Sequence, residues 1–86
     1  MIPYRTNVSG RYTIEIPREP DPEPFHIDAT SSRTAAEDAA LAFIVKQPLL
    51  QQHLAVEVRV WNCRGYETKW RYYPLTRDLI PIRRFV

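Results

Sequence analysis

Few residues of this chain could perform covalent or acid–base chemistry, and they are widely spaced. The 86-residue sequence holds one cysteine, Cys63, and two histidines, His26 and His53. A cysteine nucleophile needs a base and an orienting partner within reach. The sequence pattern places neither histidine near Cys63, so we expect an incidental thiol in a turn.

His26 and Asp28 share one face of a predicted strand, at positions i and i+2, where they could hydrogen-bond to each other. Two such residues make neither a metal site, which typically needs three or four ligands, nor an acid–base pair without a pocket. The two glycines stand 55 positions apart, so there is no glycine-rich phosphate loop. The sequence therefore predicts no enzyme, no metal site and no cofactor.

Length and composition predict one small domain spanning residues 1–86. With 44% hydrophobic and 26% charged residues, the composition is that of an ordinary globular chain. A single cysteine cannot form an internal disulfide, which favours a reduced, cytoplasmic protein. No apolar run approaches the roughly 20 residues of a membrane span. We expect a cytoplasmic location, in the host cell if the protein is encoded by a phage.

The net charge of +2 conceals an asymmetry between the two parts of the chain. Residues 1–58 carry five basic and eight acidic side chains, whereas residues 59–86 carry seven basic and two acidic ones. Such a split usually gives solvated faces of opposite sign. Less often it marks a surface for an acidic partner or for nucleic acid.

The first half of the chain reads as two strands and a helix. Apolar residues alternate in RYTIEIP, residues 11–17, and again in FHIDA, residues 25–29, which predicts two strands with one buried face each. The segment REPDPEP between them predicts an extended acidic connector that could also attract a basic partner. Ser31 is the expected helix cap, with Ser32 and Thr34 as alternatives. Pro48 should end the helix near Gln47.

The second half reads as a β-hairpin. Val56, Val58 and Val60 alternate with polar or aromatic residues, and residues 66–73 read as the returning strand after the turn Asn62-Cys63-Arg64-Gly65. Between helix and hairpin, leucines 49, 50 and 54 are expected to close over one edge of the core. The tail, residues 75–86, could dock as a short edge strand around residues 80–85 or remain free.

Together these elements predict an α+β domain of order ββαββ, with one helix packed on an antiparallel sheet. Residues 1–10 are expected to form a flexible arm. The order of the strands in the sheet is open. A monomer and a homodimer are both compatible with the pattern, since Leu41 and Val45 on the helix could be buried against a second copy.

The run YTIEIP followed by FHIDATSSRTAAEDAALAF, within residues 11–45, resembles a unit found in small phage and prophage proteins, including some anti-CRISPR proteins. In that unit a strand ends in Asp-Ala, here Asp28-Ala29, and a serine, here Ser31, caps a helix in which alanines such as Ala35 and Ala39 recur every four residues. The resemblance implies a phage or mobile-element accessory protein. We expect such a protein to bind a host protein, either as an inhibitor of a bacterial defence system or as an adaptor. It carries over no catalytic or binding residue.

The outward face of the predicted sheet offers the best candidate for function. Arginine and aromatic residues are enriched where interfaces hold most of their binding energy. The candidate partner-binding residues are Arg59, Trp61, Lys69, Arg71 and Tyr73 on the strands and Arg64 at the hairpin tip.

Two functions can use such a face. In the first, it binds another protein. In the second, its aromatic residues stack on bases while the arginines hold phosphates, which makes the chain a small nucleic-acid-binding domain. Glu15, Asp28 and Glu57 are expected on the same face and would repel a phosphate backbone, so we favour the protein partner.

Overall fold

Alternating apolar residues in this chain form five strands, and the capped alanine-rich segment forms one α-helix. The computed structural model describes residues 10–19 and 21–82. Its elements are β1 (Gly10–Glu15), β2 (Phe25–Ala29), α1 (Ser32–Ile44), a short 3-10 helix (Leu49–Gln51), β3 (Val56–Trp61), β4 (Glu67–Tyr73) and β5 (Asp78–Ile82). The α+β class and the helix on an antiparallel sheet are confirmed.

The strands form a single sheet in the order β2-β1-β3-β4-β5, with every neighbouring pair antiparallel. β1 therefore lies between β2 and β3, and the connection through α1 crosses over it. The order places β1, from the acidic part of the chain, directly beside β3, which spans the boundary between the two parts, with Glu15 opposite Arg59.

The core lies between α1 and one face of the sheet. Four alanines of the helix are fully buried, and so are Ile14 on β1 and the three valines of β3. Small side chains on the helix let its backbone lie close to the sheet, so the larger side chains of the strands fill the space. Trp70 and Tyr72 of β4 and Leu79 of β5 complete the core.

The start of the helix is fixed by Ser31. Its backbone is extended, and its Oγ accepts a hydrogen bond from the Thr34 amide at 3.1 Å. This is the cap that the sequence predicts. The hydroxyl satisfies one of the amides that the first helical turn leaves unpaired.

Replacing Ser31 by alanine is expected to lower the free energy of unfolding by about 1 kcal/mol, because the Thr34 amide loses its acceptor. Urea denaturation measures the difference. Ser32→Ala, one residue into the helix, is the matched control and should change stability by less than about 0.5 kcal/mol. Equal losses in the two variants would show that Ser31 is not the cap.

The end of the helix differs from the sequence-based prediction. α1 ends at Ile44, and the amides of Lys46 and Gln47 bond to carbonyls three residues back, which tightens the chain before Pro48. The expected burial of the following leucines is wrong, since Leu49 and Leu50 are 84% and 86% exposed and Leu54 is also exposed. The short 3-10 helix directs them away from the core.

The two ends of the chain were predicted only in part. Gly10 belongs to β1, and the rest of the predicted arm lies outside the described residues. The tail forms β5, which begins at Asp78 and pairs with β4, so the sheet has one strand more than ββαββ. The predicted edge strand of residues 80–85 is seen as far as Ile82, and the remainder lies outside the described residues. Within the described ranges, no helix is long and apolar enough to cross a membrane.

Candidate functional site

The face of the sheet opposite α1 is the surface on which the candidate residues meet. We call it the open face, because no element within residues 10–19 and 21–82 packs over it. The strand register assigns it these residues: Arg11, Thr13, Glu15, His26, Asp28, Glu57, Arg59, Trp61, Glu67, Lys69, Arg71, Tyr73, Asp78, Ile80 and Ile82.

Arg59 is at the centre of the open face and links three strands. Its Nε donates to Glu67 Oε2 on β4 at 2.6 Å, and its Nη1 donates to Glu15 Oε1 on β1 at 2.9 Å. The hydrogen bond to Glu67, followed by its charge and that of Glu15, raises the pKa of the guanidinium above its ordinary value. The group is therefore fully charged and held in place.

Trp61 is half-buried beside this arginine. The guanidinium carbon of Arg59 lies 4.8 Å from the centroid of the Trp61 ring. This distance is within the range of a cation–π contact. One side of the indole is thus covered by Arg59. The sequence-based placement of Trp61 on the outward face is confirmed.

Arg71 forms a second charged group on the open face. Its Nη2 donates to Glu57 Oε2 at 2.6 Å across the β3–β4 pair. Hydrogen bonds to Tyr73 and to Glu57 raise the pKa of Arg71 above its ordinary value. The ion pair with Glu57 positions the guanidinium, and Tyr73 supplies a second aromatic ring at this end of the face.

The charges of the open face are largely neutralised in pairs. Arg59 and Arg71 form ion pairs with glutamates, and Arg11 Nε lies 3.6 Å from Asp28 Oδ1. Of the open-face cations on the described strands, Lys69 alone forms no ion pair. A phosphate backbone would have to displace carboxylates from these arginines.

Two shallow depressions flank Lys69. One, of about 270 Å³, is lined by Pro17, Glu57, Arg59 and Lys69. The other, of about 280 Å³, is lined by Glu67, Thr68, Lys69 and Ile82. Lys69 therefore lines both depressions.

The structure brings five of the six candidate residues together and places Arg64 apart. Arg64 is exposed in the turn between β3 and β4, where its amide donates to Asn62 Oδ1 at 2.9 Å and Gly65 has a φ of 85°. It therefore lies at the end of the hairpin, beyond the open face. The sequence-based candidates missed Ile80 and Ile82, because the four apolar residues that end DLIPI give no local signal of which side faces outward.

The residues examined for catalysis do not converge. Cys63 is exposed in the hairpin turn, and His53 is exposed after the 3-10 helix. His26 Nδ1 is hydrogen-bonded to Thr13 Oγ1 at 3.3 Å, whereas Asp28 lies near Arg11. The hydrogen bond between His26 and Asp28 that their spacing allows is therefore not formed. In the part of the chain that the structure describes, no three histidine, cysteine or carboxylate side chains form a metal-ligand set.

The acidic connector between β1 and β2 lies on the other side of the molecule. Glu19, Asp21 and Glu23 line a groove of about 330 Å³ beside α1, together with Lys46. The floor of the groove is apolar. Next to it the guanidinium carbon of Arg18 lies 5.0 Å from the centroid of the Phe43 ring. The connector is thus separate from the open face.

Comparisons with known proteins found no match to this sequence. No protein-family model matches the sequence, and neither the curated proteins nor the solved structures that were searched contain a match to it.

Proposed function

We propose that this chain acts by binding a protein through the open face of its sheet. The observation that supports the proposal is the group of aromatic and paired charged residues around Arg59, Trp61, Arg71 and Tyr73. Arginine, tryptophan and tyrosine are the residue types that most often dominate binding energy in interfaces. Ion pairs already position the side chains of Arg59 and Arg71, so the two arginines would lose little side-chain entropy on binding.

The resemblance of residues 11–45 extends this proposal to the kind of partner. On that basis the chain is a phage or mobile-element accessory protein that acts in the cytoplasm of a bacterial host. Its partner would be a host protein, and its binding would inhibit a defence system, as in anti-CRISPR proteins. The open face supports the binding step, and the resemblance alone supports the identity of the partner.

The test of the open face compares two double variants in a pull-down from bacterial lysate, carried out with and without nuclease. Trp61→Ala with Arg71→Ala removes an aromatic residue and one positive charge from the face. Leu75→Ala with Arg77→Ala removes a large exposed residue and one positive charge from the β4–β5 turn, outside the face. The two variants therefore change the net charge equally.

We expect the Trp61→Ala, Arg71→Ala variant to fold and to bind the captured protein at least about 30-fold more weakly, as for a hot spot of about 2 kcal/mol. The turn variant should bind normally. Normal binding by the face variant would contradict the proposal. Capture that disappears with nuclease and falls by orders of magnitude at moderate salt would instead indicate nucleic acid.

A further inference from the structure

The outer side of α1 carries a second exposed surface, unrelated to the open face. Leu41 and Val45, four residues apart and thus one above the other on the helix, are 43% and 72% exposed. Ala42 lies beside them and is also exposed. Single exposed apolar residues are ordinary, whereas Leu41, Ala42 and Val45 form one contiguous apolar strip, the kind of surface that can mark an interaction site.

Charges of opposite sign border this stripe at its two ends. Asp38, Ala42 and Lys46 recur at four-residue spacing along one flank, with Lys46 in the turn that continues the helix. Asp38 and Lys46 are about 12 Å apart along the axis, too far to pair with each other. Neither forms an ion pair with another described residue.

We propose that the outer stripe of α1 docks on the same stripe of a second copy, with the two helices antiparallel and the two-fold axis beside Ala42. In such a dimer, a residue that precedes Ala42 by a given number of positions lies level with the residue that follows Ala42 by the same number in the other copy. Asp38 of each copy then meets Lys46 of the other, twice. A parallel pair would instead place like charges together.

The apolar residues fit the same arrangement. Leu41 and Val45 lie closest to the outward direction of the helix and fill the seam between the copies. Ala42, on the flank beside the axis, is small and leaves room there for the side chains of the other copy. The interface is limited to one helix per copy, so it is smaller than standard stable interfaces and should dissociate on dilution.

The dimer has a consequence for the open face, which rests on the proposed function. The layers run sheet, helix, helix, sheet, so the two open faces point away from each other. One dimer would therefore present two identical binding surfaces and could link two partner molecules or bind a repetitive one with increased avidity.

Sedimentation velocity of the isolated protein, from about 1 to 200 µM, tests the dimer. We expect the mass to rise with concentration from that of one chain, 10.1 kDa, to twice that value. Leu41→Glu and Val45→Glu, which place charge in the seam, should each remain monomeric over the range. A wild-type chain that is monomeric throughout, or a dimer that neither variant disrupts, would overturn the proposal.

Charge reversal tests the antiparallel geometry. Asp38→Lys and Lys46→Asp should each weaken the dimer at least tenfold, and the double variant should restore it, because the pairs are then formed with exchanged signs. Absence of rescue would overturn the geometry. Lys46 also borders the acidic groove, so Asp21→Lys in that groove is the control and should leave the dimer unchanged.

The dimer and the partner site can fail independently. Sedimentation is measured without any partner, and the Leu41→Glu monomer retains the open face for the pull-down. A monomer that still captures the partner, but less tightly than the wild type does, would support both proposals.

Discussion

Replacing Ile14 by alanine is expected to lower the free energy of unfolding by about 3–4 kcal/mol, within the range of buried isoleucine truncations. Ile14 is completely buried on β1, between Phe25 of β2 and Val60 of β3. Because β1 is hydrogen-bonded on both sides, the backbone cannot move inward to fill the cavity. A domain of this size has about 4–13 kcal/mol of stability, so the variant should lose much of it.

Urea denaturation of Ile14→Ala should show an earlier midpoint with little change in slope, and the melting temperature should fall on the order of 20 °C. Ile80→Ala is the matched control, since Ile80 lies on the open face of β5 and is 48% exposed. It should cost less than about 1 kcal/mol. Similar losses in both variants would contradict the assignment of the two sheet faces.

Local signals in the sequence were sufficient for most of the elements. The alternation of Val56, Val58 and Val60 predicts β3 and its buried side, since side chains of a strand point to opposite faces in turn. Ser31 marks the start of the helix because a serine hydroxyl satisfies a free amide there. The placement of Trp61 and Tyr73 on the outward face followed from the same alternation.

Long-range pairing could not be read from the sequence. The ion pair between Glu15 and Arg59 joins residues 44 positions apart, and it exists because β1 and β3 are neighbours in the sheet. For the same reason, the excess of basic residues in the second part of the chain does not make the open face of the sheet basic. Acidic strand positions from the first part neutralise basic positions from the second.

A local sequence pattern also could not predict which apolar residues are exposed. Leu49 and Leu50 are the kind of residues that are usually buried, yet the turn after α1 directs them outward. The sequence shows only that such residues are apolar. The path of the chain after Ile44, which depends on the tight turn before Pro48, decides which side they occupy.

The two tryptophans of the chain provide a sharp comparison of the two faces. Trp70 is buried in the core, 8% exposed, whereas Trp61 is half-buried on the open face. Trp70→Ala is expected to cost about 3–5 kcal/mol, a large part of the stability of a domain of this size. Trp61→Ala loses a partly exposed ring and one cation–π contact, and should cost less than about 1.5 kcal/mol.

The Trp70→Phe variant separates the contribution of the ring volume to stability from that of the indole N–H. The buried Trp70 Nε1 has no hydrogen-bond acceptor among the described residues, and an unsatisfied buried donor costs about 1–3 kcal/mol. Phenylalanine removes this donor and keeps most of the ring, so the variant should be about 2 kcal/mol more stable than Trp70→Ala. Thermal and urea denaturation of the three variants checks the order. If Trp61→Ala proved more damaging than Trp70→Ala, the phase of the hairpin would be inverted, and the open face would be part of the core.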